Sequence, residues 1–171
     1  ALHPMNWQSA KSILLDAEGH PCSVSCEDGT VYTNFETQHS IQLDSWSQLL
    51  EQKLLRIVLY KTPRELLKKS YTELYIQQLK HGDILAVSQL ATKAFALKTL
   101  LEYWRVSPEE VVAFGDDVND LGFITLAGTG IAVQNAEERV KQNADMVCES
   151  NDKDGPALWL NKYLLNPLMA K

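Results

Sequence analysis

Two hydrophobic rhythms run along this chain. Over residues 6–18 apolar side chains recur at helical spacing, with Asn6 placed to cap the first turn and Gly19-His20-Pro21 to stop it. Cys22–Glu27 then alternates with the period of a half-buried strand. Asp28-Gly29 is a hairpin signal, and Val31–Phe35 returns. Asp44-Ser45 predicts a cap for a short helix through Leu50, and Leu55–Tyr60 a strand. Thr62-Pro63-Arg64-Glu65, with proline in its first turn, predicts a helix to about Lys80, where His81-Gly82-Asp83 breaks it. The predicted order, α-β-β-α-β-α, is that of a small α+β unit.

The second half is more regular. Ile84–Ser88 reads as a short strand, and Thr92–Trp104 as a helix with apolar Ala96, Leu97, Leu100 and Leu101. Val111–Phe114 is a fully apolar strand, followed by a helix over Asn119–Ala127, a strand over Gly130–Val133 and a helix over Ala136–Asn143. A strand at Asp145–Val147 and an amphipathic helix over Pro156–Leu164 complete the series. Strands alternating with helices predict βαβ units on a parallel sheet. The boundary is expected near residues 80–85, giving an α+β region over 1–82 and an α/β region over 83–171.

Composition narrows the class of partner. The chain has 171 residues, is 45% hydrophobic and carries a net charge of −6, with no basic run. Nucleic acid and anionic membranes need a concentrated basic surface, so neither is an expected partner. No apolar run approaches the ~20 residues of a membrane span. Cys22, Cys26 and Cys148 form an odd set without a disulfide framework, which predicts a reducing, cytoplasmic setting. The Cys22/Cys26 spacing has no second Cys/His pair to complete a zinc site and reads as two half-buried thiols.

The chemistry concentrates in Phe114-Gly115-Asp116-Asp117-Val118-Asn119-Asp120, directly after the apolar strand. Carboxylates this close raise one another's pKa unless a cation or donor groups compensate. A strand ending in Gly-Asp before a helix puts Asp116 at the carboxyl end of a parallel strand, the edge where open α/β sheets bind ligands. Hard oxygens there suit Mg²⁺, which takes one or two protein carboxylates and fills its other positions with water and phosphate. A plainer reading is that Asp117 or Asn119 caps the next helix. Lys93, opening the preceding helix, is either a solvated charge or a partner for both a carboxylate and a phosphoryl group.

The segment from Leu90 to Leu164 resembles the C-terminal half of haloacid-dehalogenase-like (HAD) phosphatases of the Cof type. The resemblance rests on a lysine at Lys93, then G-D-x-x-N-D, G-x-G-x-A-x-x-N-A, A-D-x-V and S-N-D-x-D-G in order. It implies a Rossmann-like parallel-sheet core, with residues 1–82 as a small α+β cap that selects the substrate. By resemblance, Lys93 contacts the nucleophile and the phosphoryl group, and Asp116 ligates Mg²⁺. Asp120 supports the metal shell, and Asn119 orients phosphate or metal-bound water. Lys93, Asn119 and Asp120 are thus the catalytic candidates, Lys93 and Asn119 the substrate contacts, and Asp116 and Asp120 the metal residues. The expected substrate is a small, sugar-phosphate-like metabolite. The chain departs from the family pattern at Ala94 and Gln134, where glycine is usual, and at Asp117, where glycine is common.

These phosphatases attack phosphorus with the first aspartate of a D-x-D-x-[TV] motif, the second acting as general acid/base. Cys26–Val31 comes close but puts cysteine at the nucleophile position, and Asp152-Lys153-Asp154 has the spacing without an apolar strand before it. The chain therefore reads as a fragment whose nucleophile strand lies upstream of Ala1, with an uncovered sheet edge through which it could form a homodimer. The alternatives are a complete capless phosphatase with a degenerate first motif at 26–31, or a non-catalytic regulatory or scaffold domain of the same fold.

Overall fold

A computed structural model describes residues 2–67, 71–79 and 81–166. The chain divides into two compact units, one ending at Thr92 and one beginning at Lys93. The first unit opens with α1 (Trp7–Asp16), where the Asn6 side chain accepts a hydrogen bond from the Gln8 N–H at 2.8 Å. Six strands follow: β1 (Cys22–Cys26), β2 (Val31–Thr33), β3 (Ile41–Gln42), β4 (Leu54–Leu59), β5 (Leu74–Gln78) and β6 (Ile84–Ser88). They form one sheet in the order β3-β2-β1-β4-β6-β5, antiparallel except for the β2–β3 pair.

Register explains the core. Val24 lies opposite Ile57, and Ile57 opposite Ala86, so one face of three adjacent strands presents a row of fully buried apolar residues. Ala10, Ile13 and Leu14 of α1 belong to the same buried cluster. Alternate positions such as Ser23, Ser25 and Arg56 fall on the opposite face, as the period of two requires.

Two expectations fail here. The helix predicted from Thr62 to about Lys80 is a single 3-10 turn at Arg64–Leu66, followed after the undescribed residues 68–70 by strand β5. The start signals at Thr62-Pro63-Arg64-Glu65 serve only one turn, while Leu74–Gln78 pairs along its whole length with β6. Strand β6, expected to open the parallel sheet, instead runs antiparallel between β4 and β5. Its apolar pattern specifies burial but not partner.

The second unit is the expected α/β arrangement. After α2 (Lys93–Trp104) come β7 (Val112–Gly115), α3 (Leu121–Ile124), β8 (Thr129–Val133), α4 (Glu138–Asn143), β9 (Met146–Cys148) and α5 (Gly155–Leu160). The three strands are parallel in the order β7-β8-β9. Gly130–Val133 of the central strand are all buried, as a strand covered on both faces should be. Phe114 of β7 meets Trp159 of α5 edge-to-face, ring centroids 5.7 Å apart. The predicted 119–127 helix shortens to α3, preceded by a 3-10 turn over Val118–Asp120. Among the described residues no helix is long and apolar enough to cross a membrane.

All three cysteines are buried and unpaired. Burial pushes the Cys22 thiol from an ordinary 9.0 up to about 12. Burial, aided by the Asp28 charge, raises Cys26, and burial is the main cause of the rise at Cys148. Because only the thiolate is reactive, an alkylating reagent at pH 8 should leave all three unmodified in the native protein and modify all three in denaturant, as intact mass will show. A folded pKa above the unfolded one contributes stability that is lost as pH rises. The loss on titration from pH 9 toward 12 should therefore be shallower in Cys22→Ala than in the wild type, which denaturant melts at each pH will measure.

Candidate functional site

The three carboxylates after β7 take three different positions. Asp117 is a helix N-cap, its Oδ1 accepting from the Val118 N–H at 2.6 Å, so the capping reading holds for this residue. Asp120 turns inward and is only 3% exposed. Its Oδ2 accepts the backbone N–H of Asp116 at 3.0 Å and of Asp117 at 3.2 Å, and its Oδ1 pairs with the Lys93 ammonium. Asp116 is exposed, and its side chain accepts no hydrogen bond among the described residues.

Burial alone would raise the Asp120 pKa. Lys93 and the two backbone N–H groups outweigh it and hold the carboxyl below its ordinary 3.8, so it is ionised at neutral pH. Lys93 also donates to Asn119 Oδ1 at 3.2 Å and lies 5.9 Å from the Phe123 ring centroid. Lys93, Asn119 and Asp120 are thus joined directly, and Asp116 is joined to them through its backbone.

Gly115 makes this turn possible. A Cβ there would lie 2.6 Å from both Asp120 Cβ and Ile124 Cδ1, so only glycine lets the strand end pass so close to the buried carboxylate. The loops leaving the other two strands are stitched to the first. The Glu137 N–H donates to the Asp116 carbonyl at 2.9 Å. Asn135 and Asn151 exchange hydrogen bonds at 2.7 and 3.3 Å, tying the loop after β8 to the loop after β9. At the second loop, a Cβ on Gly155 would fall 1.8 Å from the Glu149 carbonyl. The N-A and S-N-D-x-D-G segments were the sequence signal for this clamp, but nothing in their spacing says that the two asparagines meet.

The other nucleophile candidates sit in different settings. Cys26 ends an antiparallel strand, 3% exposed, within the β1–β2 hairpin. Asp152 lies in a 3-10 turn and Asp154 follows it in the left-handed region, φ 55°. Cys26 does not stand at the exit of a parallel strand, while Asp152 and Asp154 lie in the loop after the parallel strand β9, four and six residues beyond its end at Cys148.

The sequence model of the haloacid dehalogenase-like hydrolases matches residues 5–160. The chain belongs to that family. It is 40% identical over 98 residues to a putative phosphatase of Haemophilus influenzae, covering 57% of this chain and 37% of that protein. A phosphoglycolate phosphatase of Methanobrevibacter smithii is 32% identical over 127 residues, 74% of this chain and 54% of its own length. A haloacid dehalogenase-like hydrolase of Bacillus subtilis superposes with a TM-score of 0.79 over 95% of this chain and 72% of that one, at 22% identity, a likeness of fold. The chain spans between about a third and just over half the length of these two curated relatives.

The donor set fits a hard divalent cation in part. Asp116 offers a free anionic oxygen at the carboxyl edge of a parallel strand, the kind of ligand Mg²⁺ takes singly or in pairs. Both Asp120 oxygens already hold donors, and among the described residues no group of three or more His, Cys, Asp or Glu side chains is placed to hold a metal by itself. A cation here needs water or ligand oxygens to complete its shell.

Asp120→Asn keeps the shape but removes the charge that three donors share. It should destabilise the protein by about 1.5–3 kcal/mol, the usual range for a hydrogen-bonded ion, with Lys93→Met costing less because the lysine is half exposed. Chemical denaturation of the two variants will give the order, and equal costs would contradict it.

Proposed function

We propose that Lys93, Asp116, Asn119 and Asp120 form the metal- and phosphoryl-binding half of a phosphatase acting on small phosphorylated metabolites. The observation that carries this reading is an ammonium group held by a buried, ionised carboxylate at the same strand exit as a free carboxylate. Family membership and the phosphatase relatives support it.

On this reading Asp116 holds Mg²⁺, and Asp120 supports the metal shell by fixing the Asp116 backbone. Bound there, Mg²⁺ would screen the negative charge of the phosphoryl oxygens. Lys93 keeps one face of its ammonium on Asp120 and Asn119 and offers the rest to a phosphoryl oxygen as a point charge. Asn119, held by Lys93, is set to orient phosphate or a water. The nucleophilic aspartate and its general acid/base would come from a D-x-D-x-[TV] segment upstream in a longer protein, in keeping with the greater length of the relatives.

The test compares this chain with a version extended upstream, using p-nitrophenyl phosphate with and without Mg²⁺. The extended protein should show Mg²⁺-dependent turnover that Asp116→Asn or Lys93→Ala lowers by on the order of 10²-fold, and the 171-residue chain little or none. Robust Mg²⁺-dependent turnover by the 171-residue chain alone would overturn the upstream nucleophile.

A further inference from the structure

The first unit contains an open cleft of about 800 Å³ at the end of the sheet where β1 begins and β2 and β4 finish. None of its lining residues is acidic, although the chain as a whole has a net charge of −6. Lys61, His20 and His39 line it instead, and no side-chain hydrogen bond or ion pair engages any of the three among the described residues. Asp83 Oδ1 accepts the Lys61 backbone N–H at 2.9 Å, and Glu36 follows the lining residue Phe35 in the chain.

Hydroxyls supply the rest of the polar wall. Ser23 Oγ and the Tyr60 hydroxyl are 3.0 Å apart, and Thr33 Oγ1 and Ser40 Oγ 2.9 Å apart. The Ser23–Tyr60 pair keeps one free O–H and acceptor capacity, whereas Thr33 donates to the Phe35 carbonyl at 2.7 Å and so accepts from Ser40, leaving that pair as an acceptor only. The wall is also rigid. Asn34 accepts from the Cys22 N–H and donates to the His20 carbonyl, both at 2.8 Å, and Phe35 meets Tyr60 edge-to-face at 5.5 Å.

Lys61 has φ 47°, in the left-handed region that a side chain rarely adopts. Glycine would fill the position with less strain, as it would at Arg105 and Asp154, which share this conformation.

We infer that this cleft binds a small anion bearing hydroxyl groups, with Lys61 and the two histidines facing the charge and the Ser23–Tyr60 and Thr33–Ser40 pairs facing the hydroxyls. The inference rests on the first unit alone and stands apart from the phosphoryl site built on Lys93.

The test is calorimetric titration of the whole chain without Mg²⁺, using glycerol 3-phosphate as probe and inorganic phosphate and glycerol as controls. Glycerol 3-phosphate should bind at millimolar concentration or better, inorganic phosphate more weakly and glycerol not at all. Lys61→Gly should melt at an equal or higher temperature yet bind glycerol 3-phosphate about tenfold more weakly. Absence of binding would overturn the site, as would full retention in Lys61→Gly. Equal binding of inorganic phosphate would overturn the role of the hydroxyls, and a lower melting temperature for Lys61→Gly would assign the lysine to stability.

Discussion

The buried carboxylate of Asp120 holds the strand-exit edge of the second unit together. An ion this enclosed is costly to bury unless its oxygens are satisfied, and a hydrogen bond to a charged group contributes about 1.5–3 kcal/mol when it is made. Asp120 makes three such contacts: two fix the path of the chain through Asp116 and Asp117, and the third fixes Lys93. The lysine therefore stands at the strand exit in a defined place, and Asp116 is left outside with a free carboxylate. A neutral side chain of the same shape could hold part of this geometry. It could not neutralise the ammonium.

Backbone geometry makes that edge available. In a parallel sheet every strand leaves on the same side, so the turns after β7, β8 and β9 gather at one edge. Here they are tied in series, β7 to β8 through the Asp116 carbonyl and β8 to β9 through Asn135 and Asn151. Gly115 and Gly155 sit where the chain must pass within contact of another backbone or of the buried carboxylate. The antiparallel sheet of the first unit sends successive strands out on alternate sides. Its cleft is accordingly assembled from strand ends, one turn and a side-chain hydroxyl network.

The parallel sheet and its acidic corner were legible because their signals are local: an unbroken apolar strand, a glycine, then carboxylates, repeated against helices of regular length. Beyond the cap at Asp117, what each carboxylate does was not legible. Asp116, Asp117 and Asp120 differ in whether the side chain meets solvent, its own turn or Lys93, and a distance of 27 residues separates the last pair. The failure at residues 62–80 has the same physical source in reverse. Thr-Pro-Arg-Glu satisfies every local rule for a helix start, but the pairing of Leu74–Gln78 with Ile84–Ser88 is non-local and decides the conformation. For β6 the apolar pattern was right and the partner unknowable, because burial on a sheet looks alike whichever strand lies alongside.

Charge bookkeeping at the corner constrains how a phosphate ester could be accepted there. Asp116, Asp117 and Asp120 bring three negative charges and Lys93 one positive, so the ion pair that organises the site also neutralises its single lysine. A phosphate dianion approaching this edge meets net repulsion, and the exposed part of one ammonium cannot reverse it. A divalent cation on Asp116 would bring the local sum to zero, which is why the free carboxylate and the tethered lysine make chemical sense only together. On the proposed reading, cation and phosphate bind as a unit, each supplying what the other needs: the cation neutralises the edge, and the phosphate oxygens complete a coordination shell that the protein's own side chains leave open.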